Sequence, residues 1–356
     1  MITRRTLTAA GFAATATTAF ARSKMKKPLV IAHRGASGER PEHTLMAYRL
    51  AIAQGCDFIE PDLVVTKDGH LVVRHENEIG GTTDVAARPE FAARKSDKVI
   101  DGEKLTGWFT EDFTLAELKT LRARERLPAL RRGSAQFDGQ DTIPTYQEVI
   151  DLAKAESRRV GRTIGTYPEM KHPTWFAGIG LPMEQRLADV LKISDLNSRS
   201  APVFVQCFEV APLKAYGLLG KARRVMLVAQ GPAPVDVTTA AGVKAIAAFA
   251  EGLGPEWPLV IPSKGGALGA PTSLVSDAHA SGMAIHPWTV RAENAFLPKT
   301  LQRGSTPGDH GDVGALLKAL YASGIDGVFS DFPGLAVKAR DFAMSGKGHG
   351  TPYPPA

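Results

Sequence analysis

Several short stretches of this chain place acidic, basic and imidazole side chains where an apolar run ends. Leu29-Val30-Ile31 leads into Ala32-His33-Arg34-Gly35, so a histidine and an arginine stand at the carboxyl end of a candidate strand. Arg34 offers a planar fork of donors suited to phosphate oxygens. On its own the triplet reads first as a loop histidine and arginine facing solvent. Asp57-Phe58-Ile59-Glu60-Pro61-Asp62 is more telling, because Glu60 and Asp62 at i, i+2 project from the same side of a strand while Ile59 and Leu63 face the other way. Two carboxylates aimed at one point repel each other unless a cation or protons intervene, so a hard divalent metal with oxygen ligands is the economical explanation. A pair of solvated loop acids is the alternative. Pro61 cannot donate to a sheet ladder, so regular pairing is expected to end there.

The turn that follows adds weight. Thr66-Lys67-Asp68-Gly69-His70 lies between Val-rich runs, and Asp-Gly in that setting is a strong hairpin signal. If Asp68 and Gly69 form a two-residue loop, Lys67 pairs with His70 and Asp62 stands opposite His75, with Cβ atoms roughly 5 Å apart. A one-residue bulge would turn His75 to the other face. Farther on, Glu169 and Lys171 share one face at a strand end. Glu169 can complete a three-carboxylate metal site and Lys171 can supply a point charge to a phosphate oxygen, or the two form an ordinary ion pair. His286 and Trp288 also share a face, and Trp288 either walls a small alcohol or belongs to the core. Gln206, Ser330 and Asp331 lie at later strand ends, where hydrogen-bonding or capping roles suit them.

Something must bring these segments together. Runs rich in Val, Ile and Phe alternate with stretches of helical periodicity, the βα pattern of a parallel sheet. About eight candidate strands are legible, near Leu29 to Ala32, Phe58 to Val65, Ile164 to Met170, Val203 to Cys207, Val225 to Val228, Leu259 to Ile261, Ala284 to Val290 and Val328 to Ser330. That count predicts an α/β fold, a (β/α)8 TIM barrel, whose active sites lie at the carboxyl ends of the strands. Helices are expected over Thr44 to Gln54, Thr145 to Ala155, Met183 to Leu191 and Gly314 to Ala322, with capping boxes at Thr114 and Thr145. The polar stretch from about 76 to 142 breaks the alternation and reads as an insertion after the second strand. Cys56 and Cys207 sit in apolar segments and read as buried structural thiols.

Composition narrows the function. The chain has 356 residues, 44% hydrophobic, and no central linker tract, which favours one elaborated domain. Its net charge of +6 includes Arg4 and Arg5. Basic and acidic residues alternate, against nucleic-acid binding. The densest basic run, Arg122, Arg124, Arg126, Arg131 and Arg132, reads as a solvated helix face and loop. Residues 1–21, with Arg4-Arg5 ahead of a mild apolar stretch and Ala19-Phe20-Ala21, resemble a twin-arginine export signal, which implies a periplasmic or secreted protein whose mature domain is 22–356. No stable membrane insertion is expected, since nothing approaches about 20 consecutive apolar residues. The Gly/Pro-rich tail from Ser345 is expected to be loosely ordered, and the oligomeric state is not legible.

Taken in order, His33-Arg34-Gly35-Ala36, Pro41-Glu42-His43-Thr44, Glu60-Pro61-Asp62, Thr66-Lys67-Asp68-Gly69, His75, Glu169-Met170-Lys171, Trp288-Thr289-Val290 and Phe329-Ser330-Asp331-Phe332-Pro333 resemble the motifs of glycerophosphodiester phosphodiesterases, and most closely their periplasmic branch. The resemblance spans nearly the whole chain after residue 21. It implies Glu60, Asp62 and Glu169 as ligands of one divalent metal ion, Ca2+ ahead of Mg2+, and His33 and His75 as an acid/base pair. It implies Arg34 and Lys171 as phosphate holders, Trp288 at the glycerol or alcohol pocket, and a small glycerophosphodiester as substrate. In the implied mechanism the neighbouring glycerol hydroxyl attacks phosphorus, the alcohol leaves, and water opens the cyclic phosphate. Glu76 stands where the family usually has Asp, His43 where Asn is usual, and Arg291 where Asn is common. A barrel phospholipase of C or D type would call for an apolar rim, which the polar 76–142 stretch does not provide. A non-catalytic surface protein would not need both histidines and all three acids.

Overall fold

The computed structural model describes residues 27–345. The segment expected to be an export signal and all of the Gly/Pro-rich tail beyond Ser345 lie outside the described residues.

Among the described residues, eight parallel strands close into a barrel. The first, Leu29–His33, is flanked by the eighth, Gly327–Ser330, and by the second, Phe58–Glu60 continued as Asp62–Val65. The third, Gly165–Thr166 continued as Glu169–Met170, pairs with both halves of the second. Next come Phe204–Cys207, Arg223–Val228, Gly252–Pro255 and Ala284–Ile285. Bonds from Phe329 N–H to Pro287 and from Val290 N–H to Phe329 close the ring.

The sixth strand differs from expectation. It is Gly252–Pro255, whereas the apolar run Leu259 to Ile261 read as a strand overlaps a helical turn, Trp257–Val260, with Pro258 in its first turn. A short apolar run does not by itself separate strand from helix. The glycines are the packing solution: a Cβ on Gly254 would sit 2.7 Å from Leu227 Cδ2, and one on Gly252 would sit 3.0 Å from Val225 Cγ2. The barrel interior is already filled by Ile31, Phe58, Tyr167, Phe204, Val225 and Phe329. Outside it, Ile59, Leu63 and Val205 pack against the ring of helices. Burying each such side chain stabilises the fold by about 1.5–3 kcal/mol.

The expected helices form as Leu45–Ala53, Tyr146–Val160, Met183–Ile193 and Val313–Ala322. Thr114 and Thr145 make complete capping boxes with Glu117 and Glu148. Residues 76–142 contribute no barrel strand. They hold short helical turns and an antiparallel hairpin, Ser96–Ile100 with Glu103–Gly107. Both cysteines are buried and free. No helix among the described residues is long and apolar enough to cross a membrane.

Candidate active site

The acids emerge where two neighbouring strands are interrupted by proline. Register carries Asp62 opposite Glu169, and ligand oxygens of Glu60, Asp62 and Glu169 lie within 4.8 Å of one another, all buried. Their environments push them apart. Burial and the adjacent Asp62 charge hold the Glu60 carboxyl well above its usual range. Glu169 is raised to about 8 by burial, with Asp62 adding to it against the pull of Lys171. For Asp62 burial acts upward as well, but Arg34 and His43 outweigh it and keep the group ionised.

Each acid is held in place. Glu60 accepts the Arg34 backbone N–H (2.8 Å) on one oxygen and Gln206 Nε2 (3.0 Å) on the other. Arg34 Nε lies 3.1 Å from Asp62 Oδ2, and His43 Nε2 lies 2.9 Å from the same oxygen. The other Asp62 oxygen, Oδ1, is buried with no partner. Three buried hard-oxygen donors and an orphaned carboxylate oxygen fit a divalent cation, which would relieve the repulsion that disfavours charge on Glu60 and Glu169.

Both histidines face this cluster. His33 Nδ1 is 2.6 Å from Asp331 Oδ1. Burial and neighbouring Arg34 lower its pKa to about 4, so the ring is neutral and donates Nδ1–H to Asp331, leaving the Nε2 lone pair free. His75 Nε2 lies 3.4 Å from Lys171 Nζ, and burial with Arg34 and Lys171 lowers His75 to about 3. Lys171 Nζ also pairs with Glu169 Oε1 at 3.0 Å. His33, Arg34, Glu60, His75, Glu169 and Lys171 line one cavity of about 270 Å³, with Phe208, Leu227, Trp288 and Arg291 on its far wall. Trp288 is half-buried, donates Nε1–H to the Gly254 carbonyl at 2.8 Å and meets Phe208 edge to face. His286 takes no part. It is buried in the barrel core with Nδ1 2.8 Å from the Tyr167 hydroxyl.

His75 arrives by a different route from the one expected. The observed ladder pairs Leu63 with Val73 and Val65 with Leu71, so Thr66 rather than Lys67 faces His70, and Arg74 N–H bonds the Asp62 carbonyl. The loop is Lys67-Asp68-Gly69, with Gly69 at φ +84°, a three-residue turn. That slip would point His75 away from Asp62 in a continuous strand. The strand ends at Val73, however, and the chain turns there, which restores His75 to the mouth.

The basic run also departs from expectation. Arg131 is not solvated: it is buried, with Nε 2.6 Å from Glu293, Nη2 on Asp331 and Nη1 on the Ser37 carbonyl. Arg291 Nε adds a second bond to Asp331 at 2.9 Å. Asp331 is thereby fixed and ionised beneath His33: burial opposes the charge, but Arg131 and Arg291 prevail. Glu42 is likewise gripped by Arg34 (3.2 Å) and Arg126 (3.1 Å). His43, Glu42, Gln206, Arg131 and Asp331 thus support the site, and of these roles only hydrogen bonding by Gln206 and Asp331 was foreshadowed by their place at strand ends.

A barrel whose mouth gathers three acids, two imidazoles and two cations defines a hydrolase of phosphate esters. Residues 33–335 match the model of the glycerophosphoryl diester phosphodiesterase family. A glycerophosphodiester phosphodiesterase of Arabidopsis thaliana is 33% identical over 328 residues, covering 86% of this chain and 84% of its own length. One from Haemophilus influenzae is 30% identical over 353 residues, covering 89% and 91%. The chain belongs to this family and is a glycerophosphodiester phosphodiesterase. Among solved structures, a glycerophosphoryl diester phosphodiesterase from Silicibacter pomeroyi aligns with a TM-score of 0.64 at 20% identity over 89% of this chain and 95% of its own. An Oleispira antarctica phosphodiesterase, solved with the product sn-glycerol-3-phosphate, aligns at 0.59 and 24% identity over 88% and 97%. These two share the barrel fold.

Proposed function

We propose that the protein hydrolyses deacylated phospholipids, glycerophosphodiesters, to sn-glycerol 3-phosphate and an alcohol, with Glu60, Asp62 and Glu169 holding one Ca2+, or Mg2+ in its place. The observation that carries this reading is the convergence of the three acids with His33, His75, Arg34 and Lys171 on one cavity. When bound, the cation neutralises a phosphodiester anion that would otherwise repel a nucleophile. Arg34 and Lys171 hold the remaining phosphate oxygens. Neutral His33, with Nδ1–H anchored on Asp331, accepts the proton of the neighbouring glycerol hydroxyl as that oxygen attacks phosphorus. His75, neutral in the free site, takes up a proton as the substrate's phosphate anion settles beside it and passes that proton to the departing alcohol, and the roles reverse when water opens the cyclic phosphate. Trp288 and Phe208 wall the alcohol or glycerol.

Residues 1–21 are proposed to direct twin-arginine export, with residues 22–356 as the mature periplasmic or secreted enzyme; fractionation of cells expressing the full chain and an Arg4→Lys/Arg5→Lys variant tests this. The activity is tested by coupled detection of glycerol 3-phosphate from glycerophosphocholine. EDTA is expected to abolish release and added Ca2+ or Mg2+ to restore it. His33→Ala and His75→Ala are each expected to lower turnover by about 10²-fold or more with the fold intact. Full activity in chelator, or wild-type rates in either variant, refutes the respective assignment.

A further inference from the structure

The proposed mechanism uses His75 but leaves unexplained a line of half-buried and exposed charges behind it. Glu76 Oε1 stands 2.7 Å from His75 Nδ1, off the ring's N–H axis. The other oxygen, Oε2, lies 2.8 Å from His172 Nε2, and His172 Nδ1 lies 2.6 Å from Asp101 Oδ2. Four residues from three separate segments thus form one series: Asp101 at the turn of the hairpin, His172 just past the third strand, then Glu76 and His75. Its first two members are set in uncommon backbone, Asp101 at φ +50° and His172 at φ +48°, with His172 locked ahead of Pro173 at the start of a helix.

The protonation pattern follows from the contacts. A lone pair on His75 Nδ1 at 2.7 Å from a carboxylate oxygen would be repulsive, so Nδ1 carries the proton and Nε2 is left to face Lys171 and the cavity. His172, with a carboxylate on each ring nitrogen, is doubly protonated: burial acts against the charge, but the bonds to Glu76 and Asp101 raise its pKa above the usual value. Glu76 stays ionised, since the donors on both sides overcome burial.

The length of the glutamate arm gives this a consequence. Glu76 has one more rotatable bond than an aspartate would have, and its side chain is 41% exposed, so unaided it would sample several rotamers and lose His75. We propose that His172, oriented by Asp101, is a positioning residue that tethers Glu76 and thereby fixes the tautomer and direction of His75, making the hairpin of residues 96–107 part of the catalytic apparatus. This rests on the reading of His75 as acid/base. His172 does not line the cavity and reaches His75 by way of Glu76.

The test joins kinetics to imidazole 15N spectroscopy on the full protein. In the wild type His75 is expected as the Nδ1–H tautomer; an Nε2–H tautomer overturns the proposal before any variant is made. His172→Leu, which keeps bulk without a donor, is expected to lower kcat about tenfold with KM within about twofold, and to leave His75 in mixed tautomers. His172→Gln, which keeps one N–H toward Glu76, is expected to hold kcat within about threefold. In a Glu76→Asp background the shorter carboxylate cannot reach both rings, and His172→Leu should then change kcat less than about twofold. Wild-type kcat in His172→Leu, or equal losses in both backgrounds, overturns the tether. If the wild type releases no glycerol 3-phosphate, the functional reading fails instead, and the tautomer measurement still decides the tether.

Discussion

Removal of the cation should make the stability of this protein fall as pH rises, and the acid cluster gives the size of the effect. In the metal-free site Glu169 titrates near 8 rather than 4.5, because burial and Asp62 disfavour its charge. A raised folded-state pKa means that between about pH 5 and 8 the native state holds a proton the unfolded chain has released. Stability therefore declines with rising pH through that window. At 1.36 kcal/mol per unit the loss from Glu169 alone is at most about 5 kcal/mol, and Glu60, also shifted upward, acts in the same sense. Asp62 is shifted downward, so its contribution is lost only in acid, outside this window. With cation bound all three acids are ionised and the slope disappears. A cation at a hundredfold excess over its Kd adds about 2.7 kcal/mol, and that gain grows with pH as proton competition fades.

The assay is thermal unfolding between pH 5 and 8 in EDTA and in saturating Ca2+ or Mg2+. The EDTA curve is expected to drop by on the order of 5–10 °C across the window, while the cation curve stays flatter, so the two diverge toward high pH. Parallel curves would mean that the acids are not titrating against a metal, and the assignment of Glu60, Asp62 and Glu169 as one site would fall. A Glu169→Gln variant should make the EDTA curve shallower, since it removes one of the two acids shifted upward.

Asp331→Asn should lower kcat by about 10²-fold or more, because an amide can present N–H to His33 Nδ1 and reverse its tautomer. The same change leaves Arg131 and Arg291 short of a buried counter-charge, and urea unfolding should show a loss of about 3 kcal/mol. Gly254→Ala places a Cβ 2.7 Å from Leu227 Cδ2 and should destabilise by about 1–3 kcal/mol in the same measurement. For kcat/KM, which reports the free enzyme, neutral His33 with a pKa near 4 predicts an acid limb well below pH 6 in metal-saturated protein; a limb centred near 6.5 would show an exposed, unperturbed base.

What the sequence made legible follows the range of the interactions. Strand ends carrying Glu60, Asp62, Glu169 and His33 could be read because the i, i+2 alternation is local and the barrel rule says where strand ends meet. The capping boxes at Thr114 and Thr145 were readable for the same reason. Arg131 was misread because its partner Asp331 is 200 residues away, and a surface arginine and a buried one look alike in a polar loop. The sixth strand was missed because Gly252 and Gly254 are poor strand formers chosen for the volume their neighbours occupy. The hairpin register was off by one because Asp-Gly serves both two- and three-residue turns, and His75 reached the mouth through a strand ending that no alternation rule encodes.

One feature of the rim joins fold and chemistry. Ile59 pairs with Thr166 and Asp62 with Glu169, so Pro61 and Pro168 stand level on neighbouring strands. A proline offers no N–H, and in this register an N–H at position 61 would have gone to the Tyr167 carbonyl. Gln206 Nε2 lies 3.4 Å from that carbonyl and 3.0 Å from Glu60 Oε1. The gap in the ladder is therefore spanned by an amide that also orients a proposed metal ligand, while Tyr167 N–H to Ile59 and Glu169 N–H to Pro61 keep the strands aligned on either side. Replacing Gln206 with Leu should expose this double duty. The carbonyl and the carboxylate would lose one donor together, and a cation affinity lowered about 10- to 100-fold is expected by calorimetry. Unchanged affinity would show that Glu60 is held by the Arg34 backbone alone.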